Sequence, residues 1–344
     1  MSSYAVEMLE KLLARTDLTE AEAAQLLRSM ASGELPPALA GGLLVALRSK
    51  GESASEIRGL ASAMRELARR PPIADGAEYV DIVGTGGDGS GSLNLSTGSA
   101  LLTAACGLPV VKHGNRSISS RSGSADALEA LGLPIPLDER SAARSLDALG
   151  FTFLFAPHYH PAMKAIAPVR ASLGIRTVFN ILGPLSNPAA PSFHVIGAFS
   201  EDMAELMAQA LSGMGGERSF VVHGAPGWDE ATPVGPFVCF DVRPGAVART
   251  VRDPADYGID RCRPDDLLGA QATVNAERLS HALAGGDTAA HRDALALGAG
   301  LALEVTGVEP DLTSAVARAR RALQDGTAAE FLARLQRFGA ELAS

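Results

Sequence analysis

The chain has 344 residues, enough for two domains, and with 47% hydrophobic and 20% charged residues it holds ample apolar material for a large core, which excludes global disorder. Its 30 basic and 39 acidic side chains leave a formal net charge of −9 at pH 7, which argues against general nucleic-acid binding and demands a local basic pocket wherever an anion is held. Cys106, Cys239 and Cys262 are scattered and form no C-x-x-C pair, which suits a reducing cytoplasm; no basic-then-apolar leader and no membrane-length apolar run is found, so secretion and membrane insertion are not expected.

From Met1 to Arg70 apolar residues recur three and four apart, and Asp17-Leu-Thr19-Glu-Ala-Glu22 reads as a helix start with Thr19 as N-cap. Pro36-Pro37 and Lys50-Gly51-Glu-Ser53 divide this part into about four short helices, and Arg69-Arg70-Pro71-Pro72 closes it, placing a boundary near residue 72. The pattern then changes. Residues 79–83, 109–111, 152–155, 194–198 and 219–223 read as strands, separated by helical stretches at 96–106, 125–131 and 202–214. Such alternation predicts a largely parallel sheet with helices on its faces. Residues 158–174 and 177–185 read as helical inserts that break the rhythm and are candidates to pack on the N-terminal helices; 288–305 and 312–338 read as closing helices. The expected fold class is α/β: a small all-helical N-terminal domain, 1–72, joined in space by the insert 158–186, and a larger α/β domain, 73–157 with 187–344, built on a mostly parallel central sheet flanked by helices.

Four segments carry candidate chemistry. Asp81-Ile-Val-Gly84-Thr-Gly86-Gly87-Asp88-Gly89-Ser-Gly91 places five glycines in eight positions directly after a strand and before a helix. Glycine frees backbone amides to turn inward as an anion-binding nest, and the helix start adds unpaired N–H groups, so phosphate is the natural guest. The spacing is neither G-x-G-x-x-G nor a Walker motif, and the same glycines would also serve a tight strand-to-helix turn. Lys112-His113-Gly114-Asn115-Arg116-Ser117-Ile-Ser119-Ser120-Arg121-Ser122-Gly123-Ser124-Ala-Asp126 concentrates cations and hydroxyls after the next strand; in a parallel sheet both loops leave the same carboxyl edge, where such folds bind ligands. Gly227-Trp228-Asp229-Glu230 offers adjacent carboxylates at a strand end, which suit Mg²⁺ completed by phosphate oxygens and water, or else form an exposed acidic turn. In the segment from Pro157 to Asn187, His158 and His160 lack the further ligands of a zinc site. Met163 lies seven residues before Arg170, so a helix would put both on nearly one face with His160 a turn before, a seat for a flat aromatic acid; the bland alternative is a helix whose arginine pairs with a surface acid.

Together these motifs resemble the anthranilate phosphoribosyltransferase family of tryptophan biosynthesis. The resemblance rests on Gly84-Thr-Gly-Gly-Asp88, Asn94-Leu-Ser-Thr97, Lys112-His-Gly-Asn-Arg-Ser117, Ser122-Gly-Ser-Ala-Asp126, Phe153-Leu-Phe-Ala-Pro157, Arg176-Thr-Val-Phe-Asn180 with Gly183-Pro184, and Asp229-Glu230, in the family's order. It implies transfer of a phosphoribosyl group from 5-phosphoribosyl 1-diphosphate (PRPP) to anthranilate by a cytoplasmic homodimer joined through its helical domains, with no nucleic-acid or membrane partner. It further implies PRPP held by Gly84, Gly87, Asp88, Ser92, Asn94, Leu95, Ser96, Thr97, Lys112, His113, Gly114, Asn115, Arg116, Ser117, Ser119, Ser120 and Ser124, and magnesium held by Ser96, Asp229 and Glu230. Anthranilate would meet Gly84, Asn115, Pro157, His160, Met163 and Arg170, and Lys112, His113 and Arg170 would serve the reaction. Leu93, Trp228 and Leu268-Gly269-Ala270-Gln271 depart from the family pattern, and bear on substrate placement rather than reaction class. The alternatives are a same-fold transferase or nucleoside phosphorylase acting on another aromatic or nucleobase, whose Lys-His-Ser-Thr-Gly-Gly-type signature is absent here, and a non-catalytic binder of phosphorylated ligands or nucleic acid.

Overall fold

The computed structural model describes residues 2–74, 78–117 and 121–343. Four helices open the chain: α1 (Ser2–Leu13), α2 (Glu20–Ala31), α3 (Pro37–Lys50) and α4 (Ala54–Glu66). Thr19 caps α2 through a reciprocal capping box with Glu22, and Ser53 caps α4 in the same way with Glu56. Glu56 is fully buried, yet Lys50 lies 3.0 Å away and the Leu18 amide donates to it at 2.9 Å, so its charge is matched inside the bundle.

The remainder runs β1 (Val80–Gly84), α5 (Leu95–Ala105), β2 (Val110–Gly114), α6 (Ser124–Ala130), α7 (Glu139–Leu149), β3 (Phe151–Phe155), α8 (Ala156–Tyr159), α9 (Ala167–Leu173), α10 (Phe179–Leu185), β4 (Phe193–Gly197), α11 (Glu201–Leu211), β5 (Arg218–Gly224), β6 (Phe237–Arg243), β7 (Ala246–Arg252), α12 (Ala272–Leu283), α13 (Ala289–Val305), α14 (Leu312–Gln324) and α15 (Thr327–Ala343). The seven strands form one sheet in the order β3-β2-β1-β4-β5-β6-β7, parallel through β5 and antiparallel beyond it. The chain winds outward from β1 to β3, then returns to the other side of β1 as β4, so the order reverses between β1 and β4. That reversal opens a crevice at the carboxyl ends of these two strands.

Both faces of the sheet are covered. On one, Val80, Ile82, Phe193, Val195, Phe220 and Val222 share a core with α5 and with α12 to α15. On the other, Ile196, Ala198, Val221, Phe240 and Val242 join α11, the four N-terminal helices and Ile166, Val178, Phe179, Ile181, Leu182 and Leu185 of the insert, so the bundle and the sheet share a continuous apolar interior. Among the described residues no helix is long and apolar enough to cross a membrane.

Three readings of the sequence need correction. The hairpin of β6 and β7, with Pro244-Gly245 at its turn, was not expected, nor were α7 and α12. Residues 312–338 are two helices rather than one, parted at Gly326, whose φ of +88° ends α14. Residues 158–174 are not one helix: α8 ends before His160, a 3-10 turn follows at Pro161–Ala165, and α9 starts afresh. Pro161 lacks an N–H and drives His160 out of the helical region, to φ −115° and ψ 64°.

Gly59 fixes the closest approach of the bundle: a Cβ there would overlap the Glu20 carbonyl at the start of α2 and stand 3.0 Å from the Ala23 Cβ. Gly59→Ala should therefore lower stability by roughly 1 to 3 kcal/mol through overpacking, seen as an earlier denaturant midpoint at unchanged slope.

Candidate active site at the sheet crevice

The crevice is shaped by missing side chains. Gly84 and Gly197 are register partners at the ends of β1 and β4, and Gly224 ends β5. The turn after β5 is closed by the Gly224 and Trp228 backbones bonding to each other at 2.9 Å in both directions, and it folds back over these strand ends. A Cβ on Gly84 would overlap the Asp229 carboxylate, one on Gly197 the Asp229 carbonyl, and one on Gly224 the Glu230 carbonyl. Three glycines thus make room for one acidic turn.

That turn meets the glycine-rich loop directly. The Gly86 amide donates to Asp229 Oδ2 at 2.6 Å, the Asp229 amide donates to Asp88 Oδ2 at 3.3 Å, and Ser92 Oγ donates to Glu230 Oε2 at 3.3 Å. The Ser96 amide, in the first turn of α5, donates to Glu230 Oε1 at 2.9 Å, so Glu230 occupies the positive end of that helix. Behind the loop Lys112 is buried, its Nζ bonded to the Ile82 carbonyl and 3.3 Å from Ser96 Oγ. Burial pushes its amine down to about 8 against the opposing pull of Asp81 and Glu230. Asp81, also buried, accepts from the His113 amide at 3.2 Å and from Asn187 Nδ2 at 2.8 Å.

Asp88, Asp229 and Glu230 form no ion pair among the described residues. Burial, reinforced by the charge of Asp88, raises Asp229 to about 7, and burial together with Asp229 and Asp88 holds Glu230 well above its ordinary range. A group of hard oxygen donors that repel one another fits a divalent cation. Among the described residues no three His, Cys, Asp or Glu side chains are gathered closely enough to hold a metal by themselves, so phosphate oxygens and water would have to complete the shell, as Mg²⁺ prefers.

On the other wall, His113 and His160 meet edge to face with centroids 5.1 Å apart. Burial lowers His113 to about 3 and His160 to about 4, so both rings are neutral at pH 7. His113 Nδ1 lies 3.1 Å from the Gly183 carbonyl; a carbonyl only accepts, so Nδ1 carries the proton and the buried, unpartnered Nε2 is an acceptor. The Arg170 guanidinium stacks over Phe179 at 5.2 Å and makes no hydrogen bond or ion pair among the described residues. Met163 packs on the bundle core and Pro157 lies exposed on α8; the break at Pro161 removes the single helix face expected to carry His160, Met163 and Arg170.

The second loop is largely self-satisfied. Arg116 grips Asp126 at 2.8 Å and Glu129 at 2.5 Å and stacks over Phe155, so its guanidinium is committed to α6 rather than offered to the crevice. The Ser117 amide bonds Asp126, Ser124 Oγ donates to the Asn115 carbonyl at 3.2 Å, and Gly114 leaves space for Ser124. Asn94 bridges to the Ser122 carbonyl at 3.1 Å. Leu95 and Thr97 are buried beneath the loop, and Ser119 and Ser120 lie outside the described residues.

Two contributors were not singled out in the sequence. Arg176 donates to the Gly87 carbonyl and stacks over Phe199 at 4.6 Å, tying the insert to the glycine loop; its place in the Arg176-to-Asn180 motif was the available signal. Asn275 donates to Asn94 Oδ1 at 2.9 Å, while Leu268 bridges to Ser92 and the Gly269 amide bonds the Gly91 carbonyl at 2.8 Å. The departing segment 268–271 therefore buttresses the phosphate-type loop.

The chain matches two family models, the helical bundle domain of a glycosyl transferase family over residues 6–68 and its a/b domain over residues 76–329. It is 45% identical over 318 residues to the anthranilate phosphoribosyltransferase of Rhodospirillum rubrum, covering 92% of this chain and 91% of that one. The chain belongs to the anthranilate phosphoribosyltransferase family. The Thermus thermophilus anthranilate phosphoribosyltransferase superposes with a TM-score of 0.90 at 42% identity over 97% of this chain and 99% of that one. The fold extends to the Saccharomyces cerevisiae anthranilate phosphoribosyltransferase solved with PRPP and Mg, at 24% identity and a TM-score of 0.88 over 99% of both chains. The departures of this chain at Leu93, Trp228 and 268–271 thus fall within an anthranilate phosphoribosyltransferase frame.

Asp229 keeps its proton more tightly in the folded chain than in the unfolded one, so its contribution to stability falls as the pH rises from its ordinary 3.8 towards about 7. Asp229→Asn should therefore raise the unfolding free energy of the ligand-free protein at pH 8 by on the order of 1 kcal/mol or more, read from the denaturant midpoint, with the gain shrinking towards pH 4. Equal gains at both pH values would show that Asp229 carries no such penalty.

Proposed function

We propose that this protein transfers the 5-phosphoribosyl group of PRPP to the amine of anthranilate, giving N-(5-phosphoribosyl)anthranilate and diphosphate, in tryptophan biosynthesis. The observation that carries the reading is the double engagement of Glu230 and Asp229: one turn is hydrogen-bonded to the glycine loop at Gly86 and Ser92 and to the start of α5 at Ser96. Two segments more than 130 residues apart, the acidic turn and the glycine loop that runs into α5, thereby converge on one crevice, as a sugar-diphosphate site requires.

In this reading the glycine loop and the α5 amides hold phosphate, and Ser96, Asp229 and Glu230 hold magnesium. When bound, the ion supplies positive charge to the departing diphosphate. Lys112, enclosed behind Ser96, adds a fixed positive potential beneath it. The Arg170 guanidinium, which has no ion pair among the described residues, takes the anthranilate carboxylate, with Asn115, Pro157, His160 and Met163 along its approach. The aniline nitrogen attacks the anomeric carbon with inversion as the C–O bond to diphosphate breaks, and no covalent enzyme intermediate forms. Aniline is a weak base whose lone pair is already free, so the chain's main work is positioning. The nitrogen becomes acidic only once the C–N bond has formed, and the neutral Nε2 of His113, or solvent, then accepts its proton.

We also take residues 1–72 with 158–186 as a helical unit beside an α/β unit, and the protein as a cytoplasmic homodimer joined through the helices. Exposed Val6, Leu13 and Val45 on α1 and α3 support that choice of face.

The direct test is diphosphate release with anthranilate, PRPP and Mg²⁺, compared with pyrimidine bases as acceptors; release with a base and none with anthranilate overturns the assignment. Arg170→Ala should raise the anthranilate KM at least about tenfold, the worth of one charge-assisted hydrogen bond. Asp229→Asn with Glu230→Gln should abolish magnesium-dependent turnover in a folded protein. Trp228, the only tryptophan, adjoins the acidic pair, so its emission should change when PRPP and Mg²⁺ are added together, and a silent Trp228 would place the turn outside the site.

A further inference from the structure

The opposite edge of the sheet holds a second basic pocket. A cavity of about 90 Å³ lies at the amino ends of β4 and β5, between the sheet and the end of α4. Its lining includes Arg65, Arg218 and Arg243 and no carboxylate side chain. Arg218 is neutralised by Asp241 through bonds of 2.9 and 2.6 Å, which leaves Arg243, 4.0 Å from the same carboxylate, with a shared and distant partner. Arg65 spends its Nε on the Leu185 carbonyl at 2.9 Å and has no ion pair among the described residues. Loss of solvent pulls its pKa down to about 10, with Asp81 the one charge opposing that fall. The hydroxyls of Ser192 and Ser219 stand in the same wall, and Ser219 Oγ lies 3.3 Å from Nδ1 of buried His194, whose Nε2 has no partner.

A desolvated guanidinium with no ion pair is costly, and three arginines line this cavity with no carboxylate side chain in its walls, although Asp241, Glu304 and Asp81 act on them from behind, so the space itself faces positive charge in an otherwise acidic protein. We propose that this pocket is a second anion site, distinct from the crevice, that takes one inorganic tetrahedral oxyanion of the phosphate type. The forked donors of Arg65 close on its oxygens from the bundle side, Arg243 from the mouth, and the two serines from the sheet. The volume suits a single oxyanion or a few waters, and excludes a nucleotide. Because Arg65 belongs to α4 and Arg243 to β6, the bound anion fastens the helical bundle to the far edge of the sheet.

The test is calorimetric titration of the full chain with inorganic phosphate against sodium chloride of equal ionic strength, in wild type, Arg65→Gln and Arg243→Gln. Wild type should show a phosphate-binding class that persists when PRPP and Mg²⁺ saturate the crevice. Each variant should weaken that class at least about tenfold, while Arg243→Gln, exposed and remote from the glycine loop, keeps the wild-type KM for PRPP. Should Arg65→Gln fail to fold, Ser192→Asp provides the second arm: a built-in carboxylate should abolish the phosphate class and raise the thermal midpoint. Identical phosphate binding in wild type and Arg243→Gln, or loss of all phosphate binding on adding PRPP and Mg²⁺, would overturn the proposal and leave the cavity to water.

Discussion

The site depends on an absence of volume where β1, β4 and β5 end. Because Gly84, Gly197 and Gly224 carry no Cβ, the turn bearing Asp229 and Glu230 lies directly on the sheet edge, at the point where the strand order reverses. Everything charged in the crevice is referred to that placement. Glu230 reaches the start of α5, Asp229 reaches the glycine loop, and Asp88 is drawn in from the loop itself. A side chain on any of the three glycines would lift the turn and separate parts that lie about 140 residues apart in the chain.

The arrangement brings acids to a place whose backbone favours anions. The amides of Gly86 and Ser96, which would serve phosphate, are occupied in the ligand-free chain by the carboxylates of Asp229 and Glu230. The resulting repulsion is relieved only in part by Lys112, which bonds Ser96 and a backbone carbonyl rather than an acid. Under the proposed function a cation and diphosphate together would reconcile the two signs, the one satisfying the carboxylates and the other the amides. The nearby histidines follow a different logic: buried and neutral, His113 and His160 add shape and a single lone pair without adding charge.

Much of this was readable from the chain because its cues are local. The capping box at Thr19, the turn at Lys50 to Ser53, the strand run at 79–83 and the glycine density after Gly84 each act over a few residues, and each marks a feature that exists. The acidic pair stood out by type. What escaped was non-local or subtle. The β6–β7 hairpin has few alternating polar positions to announce it, and the clasp of Asn275 on Asn94 joins residues that no spacing rule connects. Pro161 did announce a break, but the seven-residue interval from Met163 to Arg170 invited a helix across the insert, and proline's missing N–H prevailed over periodicity. Arg116 shows a further non-local effect: its charge stands out in the loop, while Asp126 and Glu129 on α6 pair with it.

The hairpin that ends the sheet has a bearing on self-association. β7 is exposed along nearly its whole length, and an outermost strand of this kind is open to pairing with a neighbouring molecule's backbone. Here its rim is studded with guanidinium groups, Arg249 held by Glu201 and Arg252 by Glu304, which discourage another strand from docking alongside. Growth by ribbon-to-ribbon addition is thereby opposed at this margin of the sheet.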